Sequence, residues 1–140
     1  MPNITLFKKE HLDKINLLFE FSQSAKSGYQ HEDLVIGYTG MEDDTILACG
    51  GVHRMWDGVG EAWLLVSKEG YRKPKTVGKY TQYIFQHIIE EHGLFRIQAS
   101  VSAIDARANR YAEWLGFEKE GIMRKYAPDG SDYIRYARVV

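Results

Sequence analysis

Cysteine is nearly absent from this 140-residue chain: Cys49 stands alone. One thiol cannot close an internal disulfide, so packing and hydrogen bonds must hold the fold, as suits a reducing compartment. No apolar run reaches the roughly 20 residues needed to span a bilayer. The start, MPNITLFKKEHLDK, lacks a basic segment followed by an apolar one, so no secretory signal is read there. A cytoplasmic protein without membrane attachment is expected. There is no internal repeat, linker or low-complexity segment, and one domain over residues 1–140 is expected. His87 and His92 stand five apart on one predicted helix, not at the i, i+4 spacing of a metal pair, and no metal site is expected.

Charge of one sign is also lacking: 18 Lys and Arg against 19 Asp and Glu give a net −1. With no interleaving of aromatic and basic residues on a strand, this argues against a nucleic-acid partner. The distribution is uneven. Residues 1–70 hold 6 basic against 11 acidic side chains, and residues 71–140 hold 12 against 8. The basic excess begins at Arg72. It is either a solvated surface or the mark of a polyanionic ligand on the second half.

Hydrophobic periodicity supplies the elements. Asn3–Phe7 reads as a strand and Lys8–Phe21 as an amphipathic helix on Leu12, Ile15, Leu18 and Phe19. Gln23–Asp33 reads as a loop. Leu34–Thr39 and Thr45–His53 form a hairpin around the turn Gly40–Asp44, and Gly50-Gly51 suggests a bulge or a close backbone approach. Glu61–Val66 is a strand after the Asp57-Gly58 turn. Lys75–His92 is a long helix stopped by Gly93. Arg96–Val101 is a strand, Asp105 an N-cap, Ala106–Leu115 a helix ended by Gly116, and Glu118–Tyr126 and Tyr133–Val140 the last strands. The order β-α-β-β-β-α-β-α-β-β describes an α+β domain with a mixed sheet, in which strands 62–66 and 96–101 run parallel. Between the first of these strands and its helix lies the basic stretch Gly70–Gly78. Loop amides and the positive end of the helix dipole converge there, as in an anion site. A basic surface turn at a helix start is the plainer reading.

The run DARANRYAEWLGFEKEGIMRKYAPDGSDYIRYARV, with Leu115-Gly116-Phe117, Glu120-Gly121, Arg124 and Asp132 to Tyr136, resembles the GNAT N-acetyltransferase superfamily, as does the element order over the whole chain. The branch that acetylates protein N-termini and small amines is the most similar. Compact divergent members of this kind occur in phage genomes, and this chain has that look. The resemblance implies a mixed, mostly antiparallel sheet flanked by helices. It implies acetyl-CoA as co-substrate and a primary amine, of a small molecule or a protein, as acceptor. Pantetheine would lie along strand Ala62–Val66, bonded to the backbone at Leu64, Leu65 and Val66. The pyrophosphate would sit over Arg72, Lys73, Lys75, Thr76, Val77, Gly78 and Lys79, with Asp105 flanking the pantetheine. Lys75 and Val77 replace the family's glycines, unless a one-residue shift makes Gly78 the last of them.

Glu61 begins the central strand, where some family members carry a catalytic Glu; it is equally read as an exposed strand-end carboxylate. His53 could relay a proton from the adjacent strand, although a lone histidine is more often structural. The family's usual acid, a Tyr, falls on Ala112, which leaves its neighbour Tyr111, and also Tyr126, as candidate acids; packing is the plainer role for Tyr111. Cys49 in ILACGG reads as a buried apolar residue. Acceptor choice would come from residues 20–33 and 126–133, and the shortness of Gln23–Asp33 suggests an open cleft suited to a peptide. A monomer or a homodimer through the edge strand Tyr133–Val140 is expected. The alternative function is a GNAT-fold binding or structural protein without catalysis.

Overall fold

A computed structural model of the chain describes residues 3–17 and 35–140. In chain order these carry strand β1 (Asn3–Leu6), a single helical turn α1 (His11–Lys14), β2 (Val35–Glu42), β3 (Thr45–Trp56), β4 (Val59–Val66), a second short turn α2 (Lys68–Tyr71), the long helix α3 (Pro74–His92), β5 (Arg96–Ser102), α4 (Ala106–Trp114), β6 (Glu118–Met123) and β7 (Tyr133–Val139). The strands make one seven-stranded sheet in the order β1-β2-β3-β4-β5-β7-β6, so Tyr133–Val139 is an interior strand paired on both sides rather than the expected edge. All neighbours are antiparallel except β4 and β5. The expected α+β architecture, a mixed and mostly antiparallel sheet with helices, is what forms.

Helix α3 organises one face. Val77, Tyr80, Thr81, Ile84, Phe85, Ile88 and Ile89 recur at helical spacing and are all buried. Their stripe meets Leu47, Ala48 and Val52 of β3, Ile97 of β5 and Tyr136 of β7. Each fully buried aliphatic side chain there contributes about 1.5–3 kcal/mol. Gly93, with φ of 60°, ends the helix as expected. Helix α4 joins the same layer through Ala112, Leu115 and Phe117, and Gly116 makes the turn with φ of 93°. On the opposite face Leu12 and Ile15 pack against Ile46, Cys49, Trp63 and Leu65, so Cys49 is buried.

The first helix differs from its expected span. Helical geometry covers His11–Lys14, and Ile15 already has an extended ψ of 129°. The cause is tertiary pairing: Asn16 O accepts from Lys68 N–H, and Leu17 forms a bridge with Ser67. The extended chain places these backbone groups against partners at Ser67 and Lys68. The rest of that predicted helix, Leu18–Phe21, and the predicted loop Gln23–Asp33 lie outside the described residues. The glycine pair also resolves. Gly50 and Gly51 stay in register with β2, and the bulges fall at Gly40/Met41 and Arg54/Trp56. Gly51 is there for a close approach, since a Cβ would lie 2.0 Å from the Ile36 carbonyl oxygen. Strand β6 stops at Met123, short of Tyr126.

One polar chain ties the N-terminal segment to the sheet. His11 Nδ1 accepts from Lys8 N–H at 3.1 Å and meets the buried Thr39 hydroxyl at 2.8 Å. Thr39 Oγ1 lies 3.4 Å from Cys49 Sγ. Burial, helped by Lys14 and Lys8, holds the imidazole below its ordinary value of 6.5. The folded state therefore binds this proton less readily than the unfolded chain. The contribution of His11 is complete above that value and is lost as pH falls through it. Urea denaturation should show stability declining below about pH 6.5, and His11→Gln, which keeps an acceptor but does not titrate, should flatten that limb. An unchanged slope in the variant would remove His11 as the cause. Gly51→Ala should lose about 2–3 kcal/mol by overpacking two strands, read from the same denaturation curves.

Candidate active site

The sheet opens at β4 and β5, the only parallel pair among the described residues. β4 pairs with β3 as far as Ala48↔Val66 but with β5 only at Val59↔Arg96, Gly60↔Ile97 and Glu61↔Gln98. Beyond Gln98, β5 pairs with β7 alone, out to Ser102↔Tyr133. Each lip is tied to its outer neighbour. Ser67, next after β4, donates its N–H to Leu47 O, and its hydroxyl both reaches Leu47 O and accepts Gly70 N–H. On the other lip Ala103 N–H donates to Asp132 O. The β5-facing edge of residues 62–66 is thus left without a strand partner. Backbone groups on such an edge are strong, ordered donors and acceptors.

The N-terminus of α3 stands next along the chain. The predicted glycine-containing loop is largely helical: Gly70 lies inside α2, where a Cβ would come within 2.2 Å of Leu47 O. Gly70 is a packing glycine. No side chain caps α3 and no acidic residue occupies its first turn. The N–H groups of Lys75 and Thr76 have no partner within the helix, and the dipole makes this end positive. Arg72, Lys75 and Lys79 are exposed and make no ion pair among the described residues. Lys73 is bound through its ammonium to Glu42 of β2. Val77 faces the core at 5% exposure. Gly78 faces the Trp114 ring, 3.0 Å from where a Cβ would lie. The candidates therefore separate. Arg72, Lys75 and Lys79 face outward together with the half-buried Thr76, whereas Lys73, Val77 and Gly78 serve internal contacts. The outward set leaves unpaired positive charge at the start of α3, and the Val77 side chain points inward, away from it.

Glu61 lies at the apex of the opening, the last residue of β4 paired to β5. Trp63 and Leu65, on the same side of the strand by alternation, pack toward α1, so the carboxylate is on the face opposite α3. It accepts from Arg135 Nη1 at 2.9 and 2.8 Å and from Ser100 Oγ at 3.3 Å. His53 is its cross-strand neighbour on β3. Asp105 is the N-cap of α4, accepting Ala108 N–H at 3.0 Å. Asn109 donates to Ser102 O and Asp105 O and accepts from the Tyr136 hydroxyl at 2.7 Å, which fastens α4 to the end of β5.

The two tyrosines do not join Glu61. Tyr111 donates its hydroxyl to Thr81 Oγ1 at 2.9 Å, and Thr81 donates on to Val77 O at 2.7 Å. Burial pushes the Tyr111 phenol up, and its ring stacks on Trp114. It ties α4 to α3, across the sheet from Glu61. Tyr126 is exposed beyond β6, with its ring 5.4 Å from that of Tyr133. Sequence reasoning missed Arg135, Ser100 and Asn109. Arg135 is 74 residues from Glu61 and comes beside it only through the Ser100↔Arg135 register.

No family sequence model and no curated protein matches the chain. Solved structures do. An acetyltransferase of Bacillus subtilis in complex with CoA superposes with a TM-score of 0.78, at 14% identity, over 100% of this chain and 99% of that one. The fold is that of the GNAT N-acetyltransferases. The GNAT likeness extends to the Escherichia coli ribosomal-protein-S18-alanine N-acetyltransferase, with a TM-score of 0.72 at 20% identity over 100% of this chain and 94% of that one. A spermidine N-acetyltransferase from Vibrio cholerae matches with a TM-score of 0.74 at 11% identity over 98% and 94%. A shared GNAT fold with so few shared residues makes the local geometry the only guide to individual roles. For Tyr111 that geometry is structural. Tyr111→Phe removes the donor to Thr81 and should lower stability by about 1 kcal/mol, measured by urea denaturation; no loss would mean that the helix contact does not depend on this hydroxyl.

Proposed function

We propose that this chain is an N-acetyltransferase that moves an acetyl group from acetyl-CoA to a primary amine of a small molecule or protein. The observation that carries the reading is the opening between β4 and β5 with Glu61 at its apex and the uncapped end of α3 next in the chain. An extended acyl carrier fits the open edge over Leu64, Leu65 and Val66, where alternate residues turn unpaired backbone groups toward the opening. Its diphosphate fits Arg72, Lys75, Thr76 and Lys79 at the helix N-terminus. Asp105 would flank the carrier from the other lip. Bound acetyl-CoA would supply the activated acetyl group as a thioester.

The remaining chemistry falls to the chain. Only an unprotonated amine attacks, so a base must take its proton, and Glu61 is the carboxylate at the opening. Arg135 and Ser100 orient that carboxylate. Backbone N–H groups on the open edge are placed to meet an oxygen that gains negative charge. Of the two tyrosines considered as the acid, Tyr126 has no hydrogen bond from its hydroxyl among the described residues. That of Tyr111 is committed to Thr81. No described helix is long and apolar enough to cross a membrane.

Acetyl-CoA at 100 times its dissociation constant should stabilise the protein by about 2.7 kcal/mol, and Arg72→Ala with Lys75→Ala should remove most of that gain. Glu61→Gln should lower kcat/KM for amine acetylation by roughly 100- to 10,000-fold while leaving the stabilisation intact. No stabilisation at millimolar acetyl-CoA would overturn the reading. Stabilisation without CoA release for any amine would leave a GNAT-fold binding protein.

A further inference from the structure

Resting on the transferase reading, we propose that the acceptor is an α-amino compound, an amino acid or the N-terminus of a chain, and that Arg135 binds its carboxylate or carbonyl oxygen beside Glu61. Two arginines lie on this face of the sheet and they are used differently. Arg96 engages all three of its nitrogens: Nε with Gln98 at 3.0 Å, and Nη1 and Nη2 with Glu120 at 3.0 and 2.6 Å. Arg135 uses Nη1 alone, for both oxygens of Glu61. Its Nε and Nη2 have no acceptor among the described residues, although its side chain is only 22% exposed. A guanidinium stays charged and carries its donors in one rigid plane. These donors are open to solvent, available to an acceptor on a bound molecule, and they adjoin the opening.

Glu61 has matching capacity. Its Oε1 accepts from both Arg135 and Ser100, while Oε2 accepts from Arg135 only. A carboxylate offers about four lone-pair positions, so Oε2 can still receive an amine N–H. The unused donors of Arg135 sit on the same fork that grips that carboxylate. An occupant that satisfies both must carry an amine and an oxygen acceptor a short distance apart. The sequence N–Cα–C=O of an α-amino acid or a peptide N-terminus has that spacing.

Charge argues against a polyamine. The two carboxylates in ion pairs on this part of the sheet are each matched by an arginine, Glu61 by Arg135 and Glu120 by Arg96. The other neighbours of Glu61 are His53, Gln98 and Ser100. A second ammonium on the acceptor would meet a guanidinium, and like charges at short range repel.

Binding can be measured apart from catalysis, by NMR titration of the protein with and without CoA. The probes are alanyl-alanine, propylamine (the same amine without the oxygen) and spermidine. The dipeptide should bind at least about tenfold more tightly than either amine, the difference expected for a charge-assisted contact, and Arg135→Gln should reduce it to the level of propylamine. The comparison among ligands on the unaltered protein stands even if that variant fails to fold. Spermidine or propylamine binding as tightly as the dipeptide would overturn the proposal, as would no binding of any of the three. A dipeptide preference without CoA release from acetyl-CoA would support the α-amino site while removing the transferase reading.

Discussion

Among the described residues, strand pairing joins the two halves of the sheet at three residue pairs only, Val59↔Arg96 to Glu61↔Gln98. Left to itself, a sheet with so short a seam would separate or zip closed. Helix α3 prevents both. Its apolar stripe packs on Leu47, Ala48 and Val52 of one half and on Ile97 and Tyr136 of the other. Burial of that stripe in one core with residues of both halves keeps the sheet together while the edge stays unpaired. The open edge, the helix N-terminus and the carboxylate at the apex all follow from this one arrangement.

Electrostatics on the two faces are correspondingly distinct. On the α3 side, Arg72, Lys75 and Lys79 remain without ion pairs among the described residues, and positive charge accumulates where a helix already ends positive. On the α1 side, charges are paired as Glu61–Arg135 and Arg96–Glu120. One face suits a multiply charged anion, the other a small polar group that fits among existing pairs.

Much of the fold was legible because its signals are local. The α3 stripe, the Gly93 and Gly116 stops and the Asp105 cap each need only neighbouring residues to form. The first helix was overread because Leu12 and Ile15 have helical spacing yet Ile15–Leu17 pairs beside β4 and α2 through contacts that no local pattern encodes. At the site, the basic stretch was legible as charge but not as geometry. Its glycines looked like room for a ligand; Gly70 proved to be clearance for Leu47 O and Gly78 clearance for Trp114.

The resemblance to the GNAT family marked Glu61, Arg72 and Asp105 as candidates, while periodicity, caps and turns in the sequence determined which segments become strands and helices and the α+β class. These depend on propensities and spacings within a few residues, which a linear pattern carries. Tertiary structure alone decided that Lys73 pairs with Glu42, that the Tyr111 hydroxyl is held by Thr81, and that Arg135 meets Glu61 at the mouth of the opening. Those outcomes depend on strand register and helix docking between residues tens of positions apart, and in the sheet a shift of one residue would turn Glu61 or Arg135 to the other face.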